Sequence, residues 1–339
     1  MSLVKLMSRI IAPSSQQHRY GDQQKSQEVK TVSELHRQTY GLATDPLTQF
    51  ACVFAALIHD VDHPGVPNAQ LVKEEAKIAR HYKGKSVAEQ NSLDLAYGLL
   101  MESDYELLRA TLCANETELR RFRHLVVNSV MATDIVDKNL KAARDARWDR
   151  AFSESAEADS WENSNRKATI VIEHLIQASD VSHTLQHWQV YRKWNERLFM
   201  EMYTAFKEGR AENDPSVNWY EGEMGFFDYY IIPLAKKLRD CGVFGVSCDE
   251  MLDYATNNRE EWEAQGQEVV EYMITAYEAE QKRKSEAIRA KEMRLKPAAP
   301  ESTFQIGENV VTKTSVTEAL GSLMMKVQQM EMAEQQFTG

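Results

Sequence analysis

The stretch that most constrains the fold is residues 55–68, AALIHDVDHPGVPN, where an apolar helical run ends among four ionisable side chains. Pro64-Gly65 cannot continue a helix, so these side chains stand at a helix end. An imidazole nitrogen beside a carboxylate oxygen is a ligand pair that zinc and similar ions accept. The stretch therefore predicts a metal site delivered by a helix end, with a solvent-facing helix cap as the alternative. The four side chains are His59, Asp60, Asp62 and His63.

Apolar residues recur every three or four positions along most of the chain, and no segment alternates strictly over the length of a strand. With 43% apolar residues but only 14 Gly and 8 Pro, the composition is typical of a globular helical protein. We therefore predict an all-α fold. The predicted helices cover residues 1–12, 31–39, the run that ends at 59, 68–81, 86–100, 116–134, 166–180, 187–209, 223–238 and two helices within 248–280.

The character of the sequence changes near residue 281. Residues 1–280 predict one compact domain, whereas residues 281–339 contain a charged helix, a linker over 297–313 and a last amphipathic helix that starts at Ser315. The apolar residues of that helix are spaced by four and three, as in a short coiled coil. Weak self-association through residues 315–335 is one interpretation, and docking on its own domain or fraying is the other.

The formal net charge of −11 opposes general binding to nucleic acid, because phosphate contacts would have to overcome the repulsion. It leaves room for a small anionic ligand, since a bound metal can invert the local field. Four scattered cysteines without a CxxC pair indicate reduced thiols in a cytoplasmic protein. The apolar patch in residues 1–13 is too short for a membrane segment, although an upstream membrane module would place the chain on the cytosolic face.

Five further segments follow HDVDHPGVPN in a fixed order, and together they resemble the catalytic domain of the class I cyclic-nucleotide phosphodiesterases. The resemblance extends over roughly residues 30–275 and places the chain near the metal-dependent HD hydrolases. It implies a compact all-α domain that hydrolyses a cyclic nucleotide to a nucleoside 5'-monophosphate in signal transduction. The segments are SVAEQ (86–90), MATD (131–134), QASDVS (177–182), YRKWNERL (191–198) and EMGFFDYYIIPL (223–234).

The same resemblance implies two divalent metals, zinc at the tight site and magnesium or manganese at the second. His59, Asp60 and Asp180 would be ligands of the first metal, and Asp60 would also reach the second. His63 and Glu89 would lie in the surrounding shell that orients the reacting water. Two cations at this position would activate water and neutralise the charge of the cyclic phosphate.

Several of these residues have a structural alternative. Asp180 could cap the turn that follows its helix. Glu89 stands three residues after Ser86, so a capping box alone would explain it. Asp134 is a less certain member of the shell, with a solvated helix end as its alternative. Tyr191 and the tryptophan three residues later are expected to belong to the core.

One departure from the family pattern concerns the reaction itself. The leading HNxxHA motif, which supplies another metal-binding histidine and the general acid, is not found in the printed sequence. Residues 1–12 resemble the tail of the helix that carries this motif, so the domain over 1–280 is expected to be N-terminally truncated. Loss of the acid alone costs about a hundred- to ten-thousand-fold in rate. A noncatalytic helical fragment or regulatory module is therefore the alternative function.

A second departure concerns the purine pocket, where Glu223, Phe226 and His183 would bind the substrate by resemblance. Glu223 occupies the place of a family Gln, and His183 that of a common Asn. A carboxylate only accepts hydrogen bonds, and guanine presents two adjacent donors to it. We therefore expect cyclic GMP to be preferred over cyclic AMP, unless Glu223 is protonated or turned to solvent. Ser92, which replaces a family His, also bears on specificity.

Overall fold

The computed structural model describes residues 2–11, 32–74, 76–153 and 161–295, and every regular element within these ranges is helical. The prediction of an all-α fold is confirmed. Short 3-10 turns lie at Ser103–Tyr105, Ser182–Leu185 and Gly245–Ser247, and a π-helical segment covers Phe227–Ile231. The α-helices are α1 (Ser2–Ile11), α2 (Val32–Gln38), α3 (Pro46–Ile58), α4 (Asn68–Lys73), α5 (Lys77–His81), α6 (Val87–Leu100), α7 (Glu106–Leu112), α8 (Glu116–Met131), α9 (Lys138–Phe152), α10 (Trp161–Asp180), α11 (Trp188–Lys207), α12 (Pro215–Phe226), α13 (Ile232–Asp240) and α14 (Glu250–Leu295).

Helix α10 is the centre of the core, and it packs against α1, α3, α8, α9 and α13. Alanines Ala51 and Ala55 of α3 are fully buried, and their small side chains allow close packing. Each buried Ile, Leu or Val of α10 contributes about 1.5–3 kcal/mol relative to an exposed position. This packing holds the C-terminal end of α10, and with it Asp180, in a fixed place. The buried apolar residues of α10 are Ile170, Val171, Ile172, Leu175, Ile176 and Ala178.

Helix α1 belongs to the same core. Its apolar face is buried against α3 and α10, through Leu3, Leu6, Met7 and Ile10. On its outer side the Arg9 guanidinium lies 3.0 Å from a carboxylate oxygen of Glu250. The helix that the apolar pattern predicts over residues 1–12 is therefore present and packed.

Two predicted helix boundaries are wrong. The helix expected over 68–81 is split into α4 and α5, because Ala76 takes an extended conformation with φ −52° and ψ 140°. The two helices expected within 248–280 are the single helix α14, which continues through Gly266. A Cβ on Gly266 would lie 2.8 Å from Trp262 and 2.9 Å from Tyr220, so this glycine allows two rings to pack on the helix rather than ending it.

The chain divides into two units, residues 1–281 and 282–339. Of the second unit the structure describes the helical residues 282–295. The linker predicted over 297–313, the helix predicted from Ser315 and the self-association predicted through 315–335 lie outside the described residues. Among the described helices, each is too short or too polar to cross a bilayer.

Candidate active site

The candidate metal ligands come from the ends of α3 and α10. The last turn of α3 continues into His59, whose N–H donates to the Ala55 carbonyl at 3.0 Å. Nδ1 of His59 lies 3.0 Å from the Ala56 carbonyl oxygen and donates to it, which leaves Nε2 to face the site. Nε2 lies 3.1 Å from Oδ2 of Asp60 and 3.3 Å from Oδ1 of Asp180.

One nitrogen and two carboxylate oxygens of these residues all lie within 4.8 Å of one another. Burial would lower the pKa of His59, but hydrogen bonds to Asp180 and Asp60 raise it to about 10. The hydrogen bond from His59 in turn lowers the pKa of Asp60. The structure thus brings together the three predicted first-metal ligands, with a donor set that suits a divalent cation. Metal binding by them stays a prediction.

His63 lies in the turn that follows α3, where Asp62 adopts a positive φ of 61°. Asn91 of α6 donates to Asp62 Oδ2 at 3.0 Å and so supports this strained turn. The N–H of Gly65 donates to Nδ1 of His63 at 3.2 Å. Because Nδ1 is the acceptor, Nε2 of neutral His63 carries the proton and is free to donate to a ligand.

Glu89 lies on the first turn of α6 and is held by Asn68. The Asn68 amide donates to Glu89 Oε2 at 2.9 Å, and its oxygen accepts from the Ala88 N–H at 2.9 Å. Burial raises the pKa of Glu89, the hydrogen bond from Asn68 opposes this effect, and the charge of Asp134 adds to it. Glu89 is thus coupled to Asp134, and its role in orienting water stays a prediction.

The capping box predicted for Ser86 and Glu89 is wrong. Ser86 has φ 38° and ψ 53°, a left-handed conformation in which its side chain makes no cap hydrogen bond. Its hydroxyl instead donates to Oδ2 of Asp134 at 2.6 Å. Asp134 is only 6% exposed, and its Oδ1 accepts the N–H groups of residues 136 and 137 at 3.2 and 3.1 Å. Asp134 is therefore a buried loop anchor and not a solvated helix end.

Two of the predicted purine-binding residues, Glu223 and His183, lie against Tyr191, which is fully buried on α11. Its hydroxyl donates to Oε2 of Glu223 on α12 at 2.7 Å. The ring of His183 is stacked parallel to the Tyr191 ring, with centroids 6.3 Å apart and an interplanar angle of 2°. Burial lowers the pKa of His183 to about 4, so this ring is neutral at pH 7. Trp194, expected in the core, is 48% exposed.

Phe226 ends α12 and stacks on Tyr230 with ring centroids 5.3 Å apart. Burial, and then the negative charge of Asp180, raise the pKa of the Tyr230 hydroxyl. Tyr230 is therefore electrostatically coupled to a candidate metal ligand and packed against a candidate base-stacking ring. The two halves of the candidate site are linked through this tyrosine.

Sequence reasoning did not identify the polar chain behind Glu223. Trp219 Nε1 donates to Asn195 Oδ1 at 3.2 Å, and Asn195 Nδ2 donates to the Tyr191 hydroxyl at 3.4 Å. A signal was present: Asn195 stands four residues after Tyr191, on a helix face that is otherwise apolar. Burial raises the pKa of Glu223 to about 7, although hydrogen bonds from Tyr191 and Asn195 oppose the shift.

Known proteins resemble the chain in sequence and in fold. The "Probable 3',5'-cyclic-AMP phosphodiesterase pde-4" of Caenorhabditis elegans is 29% identical over 231 residues, which is 63% of this chain and 32% of the relative. The "3',5'-cyclic-AMP phosphodiesterase 4C" of Mus musculus is 27% identical over 230 residues, again 63% of this chain and 32% of the relative. The chain thus spans about a third of the length of these curated relatives.

The solved phosphodiesterase domain of the RhoPDE fusion protein from the choanoflagellate Salpingoeca rosetta shares the fold. It aligns with a TM-score of 0.54 at 21% identity and covers 71% of this chain and 77% of that domain. A profile of the 3'5'-cyclic nucleotide phosphodiesterases matches residues 29–253. This match covers more than half of the chain, and the chain therefore belongs to the 3'5'-cyclic nucleotide phosphodiesterase family.

Proposed function

We propose that the chain is a metal-dependent phosphodiesterase that opens a 3',5'-cyclic nucleotide to the nucleoside 5'-monophosphate. The observation that carries the proposal is the convergence of His59, Asp60 and Asp180 within 4.8 Å, in a chain of this family. The four free cysteines suit a reducing compartment such as the cytoplasm, which is the location we propose.

The three residues would hold a first cation, for which zinc fits the nitrogen and oxygen donors, and Asp60 would share a second, magnesium or manganese. When bound, the cations supply activation of a water and neutralisation of phosphate charge. His63 offers an Nε2–H donor, since its Nδ1 accepts from Gly65. Glu89 offers Oε1 as an acceptor, since Oε2 is engaged by Asn68. Together they can orient the water by one donated and one accepted hydrogen bond.

The preference for one purine base would depend on Glu223. The chain of hydrogen bonds from Trp219 through Asn195 and Tyr191 ends on this residue, and each group donates to the next. Indole Nε1–H of Trp219 can only donate, which makes Asn195 Oδ1 the acceptor and Asn195 Nδ2 the donor to Tyr191. The Tyr191 proton must then point to Oε2 of Glu223. Tyr191 uses one of the two lone pairs of Oε2, so the second lone pair of Oε2 and those of Oε1 are left for Asn195 and the base.

As a carboxylate, Glu223 accepts from both N1–H and the exocyclic amine of guanine, each charge-assisted bond contributing about 1.5–3 kcal/mol. As a neutral acid, Glu223 has an O–H donor for the acceptor N1 of adenine. It keeps an acceptor for the exocyclic amine of adenine. We therefore propose a preference for cyclic GMP whenever Glu223 is ionised. The curated relatives carry names that refer to cyclic AMP, so this preference would distinguish the chain from them.

The test is hydrolysis of both cyclic nucleotides by the purified chain with zinc and with magnesium or manganese. We expect release of 5'-monophosphate that depends on the cation and falls at least about a hundredfold in Asp180→Ala. Asp253→Ala, which removes an exposed acid from α14, is the matched control. If the folded chain hydrolyses neither nucleotide with any of these cations, the noncatalytic helical module would be favoured instead.

A further inference from the structure

A cavity of about 60 Å³ lies between α9, α10, the π-helical segment and α13. None of the candidate metal ligands lines it. We call it the oxyanion cavity, and the residues that matter for its chemistry are Lys141, Arg144, Asp145, His174, Tyr230 and Lys237. Its volume holds several water-sized groups, enough for an inorganic oxyanion but too little for a nucleotide.

Arg144 is the first unusual group of the oxyanion cavity. The residue is only 6% exposed, and its Nη2 donates to the main-chain carbonyl of Asp134 at 3.3 Å. Among the described residues no carboxylate forms an ion pair with it. Asp145, its neighbour in sequence, instead accepts from Lys141 at 3.0 Å and from Lys237 at 2.6 Å.

Charge in the oxyanion cavity is therefore unbalanced. Three cations, Lys141, Arg144 and Lys237, line it against one acid, Asp145. Arg144 interacts electrostatically with Glu173, but that acid is already paired with Arg147. A buried guanidinium without a carboxylate at ion-pair distance is costly, because it has lost most of its hydration. An anion held in the cavity would remove this cost, and the arginine fork suits an oxyanion.

Two further groups define which oxyanion fits. The Tyr230 hydroxyl is buried without a hydrogen-bond partner within the described structure, so it has a donor to give. His174 is 3% exposed, and its Nδ1 lies 2.7 Å from the Ile170 carbonyl oxygen, to which it donates. Nε2 of the neutral ring is then an acceptor. Burial lowers the pKa of His174 to about 4, which keeps the ring neutral under ordinary conditions.

We propose that the oxyanion cavity binds a small protonated oxyanion of the phosphate class, with Arg144, Lys237 and Tyr230 donating to its oxygens and His174 accepting from its P–OH group. Phosphate at neutral pH carries such a proton, whereas sulfate does not. The ligand is either free phosphate or the phosphate group of a small monoester. The proposal does not depend on the hydrolytic function.

The test is isothermal titration of the whole chain with inorganic phosphate, in the presence of a chelator that keeps the candidate metal site out of the measurement. Sulfate at matched ionic strength is titrated in parallel, and a phosphate monoester distinguishes the two sources. We expect phosphate to bind at least about tenfold more tightly than sulfate, because sulfate leaves His174 without a donor. Equal binding of the two anions, or binding of neither, would overturn the proposal.

Variants locate the site. Arg144→Met should weaken phosphate binding at least about tenfold, whereas Arg150→Met, on the exposed side of the same helix, should leave it unchanged. Tyr230→Phe covers the case in which Arg144→Met fails to fold, since the lost hydroxyl has no hydrogen-bond partner among the residues that the structure describes. Tyr230→Phe should weaken phosphate binding about three- to tenfold and leave the melting temperature of the ligand-free chain unchanged. Wild-type affinity in both variants would contradict the assignment.

Discussion

The hydroxyl of Tyr191 lies 2.7 Å from Oε2 of Glu223 and donates to it. The pair joins α11 to α12. Burial raises the pKa of both groups, well above 10 for Tyr191 and to about 7 for Glu223. Tyr191 therefore keeps its proton, and Glu223 is the member of the pair whose charge changes near neutral pH.

Purine selectivity should depend on pH because of Glu223. Its raised pKa of about 7 means that the acid is neutral below this value and ionised above it. The ratio of cyclic GMP to cyclic AMP hydrolysis should therefore rise between about pH 6 and pH 8. In Glu223→Gln the ratio should be flat over this range, because an amide does not titrate. Glu221→Gln, an exposed acid on the same helix, should keep the wild-type profile.

Tyr191→Phe gives an independent check of the same pair. It removes the hydrogen bond that opposes the burial effect on Glu223, so the pKa of Glu223 should rise further. The midpoint of the selectivity profile should move to higher pH, measured by the same two hydrolysis rates. A midpoint that stays in place would show that Tyr191 does not set the charge of Glu223.

A divalent cation at His59, Asp60 and Asp180 should stabilise the folded chain. A ligand at a hundred times its dissociation constant adds about 2.7 kcal/mol to the free energy of unfolding. Chelation should remove this contribution from the wild type, as measured by denaturant unfolding with and without EDTA. Asp180→Ala should be insensitive to EDTA, and Asp253→Ala should respond as the wild type does.

Two substitutions of Ser86 should separate the contribution of its hydrogen bond to the free energy of unfolding from the cost of its backbone strain. Ser86→Ala removes the donor to the buried Asp134 carboxylate and should cost about 1.5–3 kcal/mol of unfolding free energy. Ser86→Gly loses the same bond but relieves the positive φ of 38°, which costs a side-chain-bearing residue about 1 kcal/mol. Chemical denaturation should therefore find the glycine variant the more stable of the two. The reverse order would indicate that the loop conformation is not strained.

The ion pair between the partly exposed Arg147 and the buried Glu173 should show strong coupling. Arg147 Nη2 donates to both oxygens of Glu173, at 2.8 and 2.6 Å, and Glu173 is only 3% exposed. Arg147→Met strands a buried carboxylate and should lower the free energy of unfolding by about 3 kcal/mol. Adding Glu173→Leu should recover much of that loss, whereas Arg150→Met should cost little. Additive effects of the two substitutions would argue against the pair.

The local pattern predicted that His59 and Asp60 stand at the end of an apolar helix, but Asp180 joined them only through the resemblance to a known family. The packing of α3 and α10 brings the ends of these helices together, so the three candidate metal ligands lie in one cluster. Local patterns failed at Ser86. A capping box needs an extended backbone at the cap, and the tertiary bond to Asp134 holds this residue in a left-handed conformation instead.

The features that sequence reasoning missed are formed by residues from several helices that are distant in the sequence. The oxyanion cavity draws residues from α9, α10 and α13, and the segment that contains Arg144 looks only charged and alanine-rich in isolation. Gly266 suggests a helix break by composition, yet its role depends on Tyr220, which lies 46 positions earlier in the chain. Packing partners at such separations are not encoded in local periodicity.

The π-helical segment Phe227–Ile231 restricts how the length of this chain can change during evolution. A π turn holds one residue more than an α turn, so deletion of a single residue there would restore a regular helix. The parts before and after the segment would then rotate by about 100° relative to each other. Glu223 and Phe226 precede the segment and Lys237 follows it, so the candidate base pocket and the oxyanion cavity would lose their mutual orientation. Insertions and deletions should be tolerated in the loop over 208–214. Within the π-helical segment Phe227–Ile231 they should be eliminated by selection.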